Sequence, residues 1–232
     1  TKDWTAHNLD KLVTQWGYYP TLEISDIMPH LGEKTYNLKA AQKIIERHLW
    51  GGEVDANVTV KFLPMDIPGR IELIQTWSSG RLTLNMTIEV SDEYRDNVKA
   101  QMTILAHEYA HAFHYLRDDF DRPDDNLEYE NLTDLSTIAL GMGKLSLTGK
   151  EIDKNPYSIL TLGYMPTHMM VFAQELYCRS EAKYPSCSEK PHTSIGSGIK
   201  EPWSHEEPKF TPHVTTEGLS LIHISEPTRP ID

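Results

Sequence analysis

Cysteine is scarce in this chain: Cys178 and Cys187 are the only two among 232 residues. Two thiols cannot frame a fold, and nine residues apart without further partners they fall short of the four ligands of a structural zinc site. They read as ordinary thiols of a reducing, cytoplasmic setting and leave room for one disulfide. Positive charge is also short, with 22 Lys and Arg against 34 Asp and Glu and a formal net charge of −12. A duplex nucleic-acid partner needs a basic stripe, so none is expected. No apolar run approaches the ~18 residues of a membrane helix, so no membrane span is expected either. What is present suffices for a core: 39% of residues are hydrophobic and 24% charged, which excludes a fully disordered chain. The first residue is Thr1 rather than Met, which is compatible with a removed leader.

Composition divides the chain into four parts. Residues 1–36 contain aromatics but no clear period and are expected to be an irregular N-terminal segment, covering a cleft or packing on a sheet. Residues 37–179 carry the globular pattern. Residues 180–218 hold Pro185, Pro191, Pro202, Pro208 and Pro212 among Ser, Lys and Glu, and read as a Pro-rich disordered tail. Its histidines, His192, His205 and His213, fit no compact metal site. Leu219 to Arg229 (LSLIHISEPTR) is similar to the in-frame translation of a transposase adapter used in sequencing libraries, so residues 219–232 are expected to be an adapter-derived artefact.

Within the globular part, 37–50 has helical spacing with Asn37 as N-cap and Gly51-Gly52 as stop. Three strands are expected over 58–63, 70–77 and 81–90, the last two joined as a hairpin through Ser78-Ser79-Gly80. A long helix is expected over 92–116, capped by Ser91 or Asp92, then helices over 127–140, stopped by Gly141 and Gly143, and over 167–178. The fold class is α+β, a small antiparallel or mixed sheet packed on helices.

The chemistry concentrates in His107-Glu108-Tyr109-Ala110-His111, an H-E-x-x-H set inside the long helix. Residues four apart project from one face one turn apart, so both imidazoles can reach one zinc ion. Glu108 sits at the edge of that face, within reach of a water on the metal, whose proton it can take. The alternative is a surface helix with two solvated histidines. Against it, Leu105, Ala106, Ala110, Ala112 and Phe113 make the helix apolar on most sides, and an enclosed polar cluster without partners is costly.

A catalytic zinc needs a third ligand and an open position. The zincin pattern with a third histidine six residues on fails, because that position is Arg117 and its glycine position is His114. His114 continues the face but converges poorly, and reads as a pocket residue behind the ligands. Glu130 is the better candidate, in a Glu130-x-x-x-Asp134 set 19 residues beyond His111. Asp134, one turn on, can accept the free ring N–H of a ligand histidine. Glu128 is a backup ligand. The aspartates of 118–125 are a solvated connection or, less simply, a calcium loop of no EF-hand order.

From Ile104 to about Gly143 the chain resembles the gluzincin metallopeptidases, in which H-E-x-x-H is followed by E-x-x-x-D about twenty residues later. Within them it looks similar to small bacterial zincin-like proteins with an E-x-L-T-D-L signature, here Glu130-Asn131-Leu132-Thr133-Asp134-Leu135. The resemblance implies one Zn2+ held by His107, His111 and Glu130, Glu108 as general base, Asp134 as histidine orienter, and a peptide or protein substrate. It also implies a Tyr or His beyond the second helix that positions the scissile carbonyl; His168 is the first choice, ahead of Tyr164 and Tyr157. The strand over 81–90 is expected at the sheet edge, where an extended peptide can pair with main chain. Two rivals stand beside the peptidase: a catalytically idle zincin fold serving as a metal-binding, sensor or interaction module, and a structural helical protein with an accidental motif.

Overall fold

The computed structural model describes residues 1–27, 38–52, 54–78, 81–117, 120–155 and 158–181. The Pro-rich stretch, Cys187, the tail histidines and the adapter-like end lie outside these residues. Among the described residues no helix is long and apolar enough to cross a membrane.

The chain begins with a helix, α1 (Lys2–Trp16), which corrects the expectation of an irregular N-terminus. The Thr1 side chain accepts from the Trp4 N–H, capping it. Its buried side chains, Thr5, Leu9, Leu12 and Trp16, recur every three or four residues on one face and pack toward α5 and α7. Trp4 and Val13 pack beside that stripe, and the remaining positions are mostly charged, amide or other polar residues, so the segment as a whole is polar although its spacing is helical. A short turn of helix, α2 (Ile24–Ile27), leads on to α3 (Leu38–Trp50), close to the expected span. Gly51 and Gly52 end α3 with positive φ values of 59° and 94°, and Gly51 N donates to Arg47 O.

Three strands follow, β1 (Asp55–Leu63), β2 (Gly69–Ser78) and β3 (Arg81–Ser91), in the order β1-β3-β2. β3 runs parallel to β1 and antiparallel to β2. The expected edge strand is therefore the central one. Its alternation of Leu82, Leu84, Met86, Ile88 and Val90 buries one face fully, and both its main-chain edges are paired. Among the described residues the free edges belong to β1 and β2.

The long helix starts later than expected. Asp92–Tyr94 form a 3-10 turn, and α4 (Val98–Tyr115) is capped by Asn97, whose side chain accepts from Ala100 N at 3.1 Å. Gln101 holds the turn to the helix, donating to Tyr94 O at 2.8 Å and Arg95 O at 2.6 Å. From Ala100 to His114 every residue of α4 but His107 is buried, because β2 and β3 cover one side and α5 (Asn126–Ala139) and α6 (Gly143–Thr148) another.

The segment after α5 was not anticipated. Gly141, at φ 74°, ends α5 as expected, but Gly143 opens α6 instead of stopping a helix, and lies so close to the Gln174 side chain that a Cβ would collide. A small antiparallel pair, β4 (Glu151–Asn155) and β5 (Ser158–Thr161), precedes α7 (Thr167–Glu181). The result is an α+β fold with a small mixed sheet and several helices packed on the helix that bears the H-E-x-x-H set.

Candidate metal centre

α4 sets His107 and His111 one turn apart, and α5 crosses it to deliver Glu130. The two Nε2 atoms lie 3.0 Å apart, and Glu130 Oε2 lies 3.1 Å from His107 Nε2 and 3.3 Å from His111 Nε2. Ligand atoms held at 2.0–2.1 Å from one tetrahedral ion stand about 3.3–3.4 Å apart, so this triangle is nearly the right size for zinc before any adjustment. All three residues are largely enclosed, and among the described residues they are the one group of His, Cys, Asp or Glu side chains that converges in this way. The donor set, two neutral-capable imidazoles and one carboxylate, is the borderline-soft combination zinc favours. The site fits a single divalent metal such as Zn2+.

The back sides of both histidines are also occupied. His107 Nδ1 faces Asp134 Oδ1 at 2.8 Å. His111 Nδ1 faces the Tyr129 hydroxyl at 3.0 Å, with Thr133 Oγ1 at 3.5 Å. An Nδ1–H donated to each of these oxygens leaves each Nε2 with its lone pair directed into the triangle. Tyr129 was missed in the sequence, although it directly precedes Glu130.

Electrostatics show what the triangle does without a cation. Burial pushes His107 down, but its hydrogen bonds to Asp134 and Glu130 outweigh this and raise it to about 10. Burial lowers His111, beside the charged His107. Burial would raise Glu130, yet the bonds to both imidazoles prevail and bring it to about 2. Asp134 is likewise held well below the usual carboxylate range: burial is overcome by the Lys150 ammonium and by His107. The carboxylates of Glu130 and Asp134 thus favour positive charge at His107, as they would favour a cation held in the triangle.

Glu108 lines a cleft beside this triangle, opposite Gly69 at the start of β2. Burial pushes its carboxyl up to about 7, His107 offsets part of this, and Glu130 adds to it. Its Oε2 is buried without a hydrogen-bond partner. A Cβ on Gly69 would come within 2.5 Å of Ile104 Cγ2 and 3.1 Å of Glu108 Oε1, so only glycine lets β2 approach this carboxylate so closely. The cleft is completed by Ile67, Leu162 and Tyr164, with His107 and Asp134 at its floor. The Tyr164 ring stacks near His107, 6.0 Å between centroids.

Other candidates fall elsewhere. His168 is exposed near the start of α7 and lines a separate hollow with Trp4, Leu127 and Met165, not the cleft. Tyr157 lies outside the described residues. His114 is buried behind His111, 6.4 Å between ring centroids, stacked on Phe120 and bonded through Nε2 to Ser136 Oγ at 2.8 Å. Ser136 spends its own proton on Leu132 O, so His114 donates, and burial holds its ring neutral. It hydrogen-bonds neither ligand. Glu128 is exposed on the first turn of α5, its N–H donating to the capping Asp125 side chain at 2.8 Å. Asp125 is thus a helix cap, and Asp118 and Asp119 lie outside the described residues. Lys150 was not anticipated: it is 1% exposed and its Nζ lies 2.9 Å from Asp134 Oδ2.

Compared with models of protein families, with curated proteins and with solved structures, the chain matches none. The centre is therefore identified by its own geometry: His107, Glu108 and His111 on one helix and Glu130 on the next match the H-E-x-x-H…E zinc-binding arrangement of the gluzincins.

Proposed function

We propose that the protein hydrolyses peptide bonds with one zinc ion held by His107, His111 and Glu130. The observation that carries this reading is the position of Glu108, a buried carboxylate with one oxygen unpartnered, beside three converging ligand atoms. A zinc ion bound there supplies Lewis acidity, making a water acidic near neutral pH and polarising an acyl carbonyl. Glu108 accepts a proton from the attacking water as the carbon–oxygen bond forms, and returns it to the amide nitrogen as the carbon–nitrogen bond breaks. Asp134 and the Tyr129 hydroxyl hold the two ligand rings in the tautomer that leaves Nε2 free. Tyr164, which lines the cleft where His168 does not, takes the task of facing the substrate carbonyl. The substrate is a peptide or protein segment in extended form, laid along the free edge of β2 where Gly69 brings main chain closest to Glu108.

The test is a zinc determination on purified protein combined with a peptide-library digest by the wild type and by Glu108→Gln. Both proteins are expected to carry one zinc, and only the wild type to cut. Equal cleavage by the two would overturn the general-base role. Zinc binding without any cleavage by the wild type would favour an idle metal-binding module.

A further inference from the structure

The β4–β5 hairpin and the loop that follows it are fastened to the metal centre through one carboxylate. Lys150 stands at the foot of the hairpin, where its carbonyl accepts the Leu162 N–H at 2.8 Å and so draws the two ends of the hairpin together. Its ammonium reaches Asp134 Oδ2 at 2.9 Å, and both side chains of this pair are at most 2% exposed. The same oxygen accepts the Tyr164 N–H and the Met165 N–H, each at 2.8 Å. The other oxygen, Oδ1, is left to face His107 Nδ1. Gly163 threads between these groups at φ 75°, and a Cβ there would fall 2.6 Å from Lys150 Nζ and 2.7 Å from Asp134 Oδ2. No side chain other than hydrogen fits.

A carboxylate that accepts three donors on one oxygen cannot turn without breaking all three. Removing the ammonium would leave a buried anion short of charge compensation and free to tilt toward the two backbone N–H groups, away from the imidazole. We infer that Lys150 is a positioning residue of the metal centre: through Asp134 it aims His107 and at the same time fixes the loop that carries Tyr164 along the cleft. The inference rests on the metal-binding part of the proposed function and not on its hydrolytic part.

Zinc dissociation constants, measured by chelator competition on the full chain, test it. Lys150→Met is expected to weaken zinc binding about tenfold or more, the range typical of groups that orient metal ligands. The visible absorption of the cobalt-loaded protein, which reports ligand geometry, is expected to change with it. Lys150→Met/Asp134→Asn leaves no unpaired buried charge and keeps the question open to measurement if the single variant fails to fold. Because the lysine acts through Asp134, the double variant is expected to bind zinc no more weakly than Asp134→Asn alone. A wild-type zinc constant and cobalt spectrum in folded Lys150→Met overturn the inference, as does a double variant whose loss exceeds that of Asp134→Asn by a further tenfold. Wild-type protein that binds zinc and cuts no peptide sinks the hydrolytic reading while leaving this one intact.

Discussion

The two sides of the cleft are assembled by different physics. On one side, α4 and α5 carry His107, His111, Glu130 and Asp134 on regular backbone, and the helical repeat alone puts residues four apart on a common face. On the other, Ile67, Pro68 and Leu162 to Tyr164 are irregular chain, and Gly69 is the first residue of β2; they are held by what they touch, Glu108 and Ile104 against Gly69, Asp134 and Lys150 against Gly163. The helical side is set by local geometry, the loop side by a few tertiary contacts. The two sides meet at Asp134, which bonds His107 with one oxygen and the loop with the other.

The comparison breaks most readily at a ligand. Glu130→Ala removes one of three donor atoms, so zinc affinity is expected to fall by more than the ~100-fold upper range seen when only a supporting group is lost. Chelator competition measures it, and a smaller loss would mean that another side chain fills the corner. Because α5 is capped by Asp125 and packed by Leu135, Ile138 and Ala139, its helix content in this variant should stay unchanged.

On the loop side, Gly163→Ala puts a methyl group into the Asp134–Lys150 pair and strains a left-handed backbone. The expected loss is about 1–3 kcal/mol of stability in urea unfolding. Unlike a ligand substitution, it should weaken both fold and zinc binding, since the pair it disturbs belongs to both. A stability equal to the wild type would show that the loop is held by something other than Asp134.

How far each side could be read from the sequence follows the same division. The 3.6-residue repeat puts His107 and His111 on one face of α4 and Glu130 and Asp134 on one face of α5, and the packing of the two helices brings the pairs together. The three main strands are visible by alternation, but alternation says nothing of strand order, and β3, expected at an edge, lies at the centre. Lys150 and Gly69 sit 16 and 39 residues from the groups they serve, one just before β4 and the other at the first position of β2, and no spacing links them to those groups. Only the folded chain brings them in. α1 differs in another way: Leu9, Leu12 and Trp16 do follow the helical repeat, but they are set in a strongly polar stretch, and the stripe is buried by packing toward α5 and α7.

A pH series sharpens the comparison from the electrostatic side. In the metal-free protein His107 is raised from 6.5 to about 10 and Glu108 from 4.5 to about 7. Both groups bind protons more tightly when folded, so their stabilisation is complete at low pH and is lost as pH rises, through about 7 for Glu108 and about 10 for His107. Glu130, lowered to about 2, acts the other way: its stabilisation is present above about 4.5 and lost as pH falls through about 2. Metal binding must displace the His107 proton, so zinc affinity is expected to rise about tenfold per pH unit between roughly 7 and 9 while metal-free stability declines. Chelator competition and urea unfolding over that range check the two slopes. A flat affinity would mean that His107 is already deprotonated in the metal-free protein.

The smallest effect is expected at Tyr129. Its hydroxyl is the nearest partner of His111 Nδ1, at 3.0 Å, but Thr133 Oγ1 stands by at 3.5 Å. Tyr129→Phe therefore leaves that N–H with a second, poorer acceptor and is expected to cost about tenfold or less in zinc affinity, the lower end of what such supporting groups contribute. Asp134 is a charged acceptor at 2.8 Å from His107 Nδ1, a stronger partner than the Tyr129 hydroxyl is for His111. Asp134→Asn should therefore cost more than Tyr129→Phe, although the two histidines they support are equivalent by sequence spacing. If the order were reversed, His111 rather than His107 would be the ligand whose orientation limits the site, and the fastening of the loop to Asp134 would serve the fold alone.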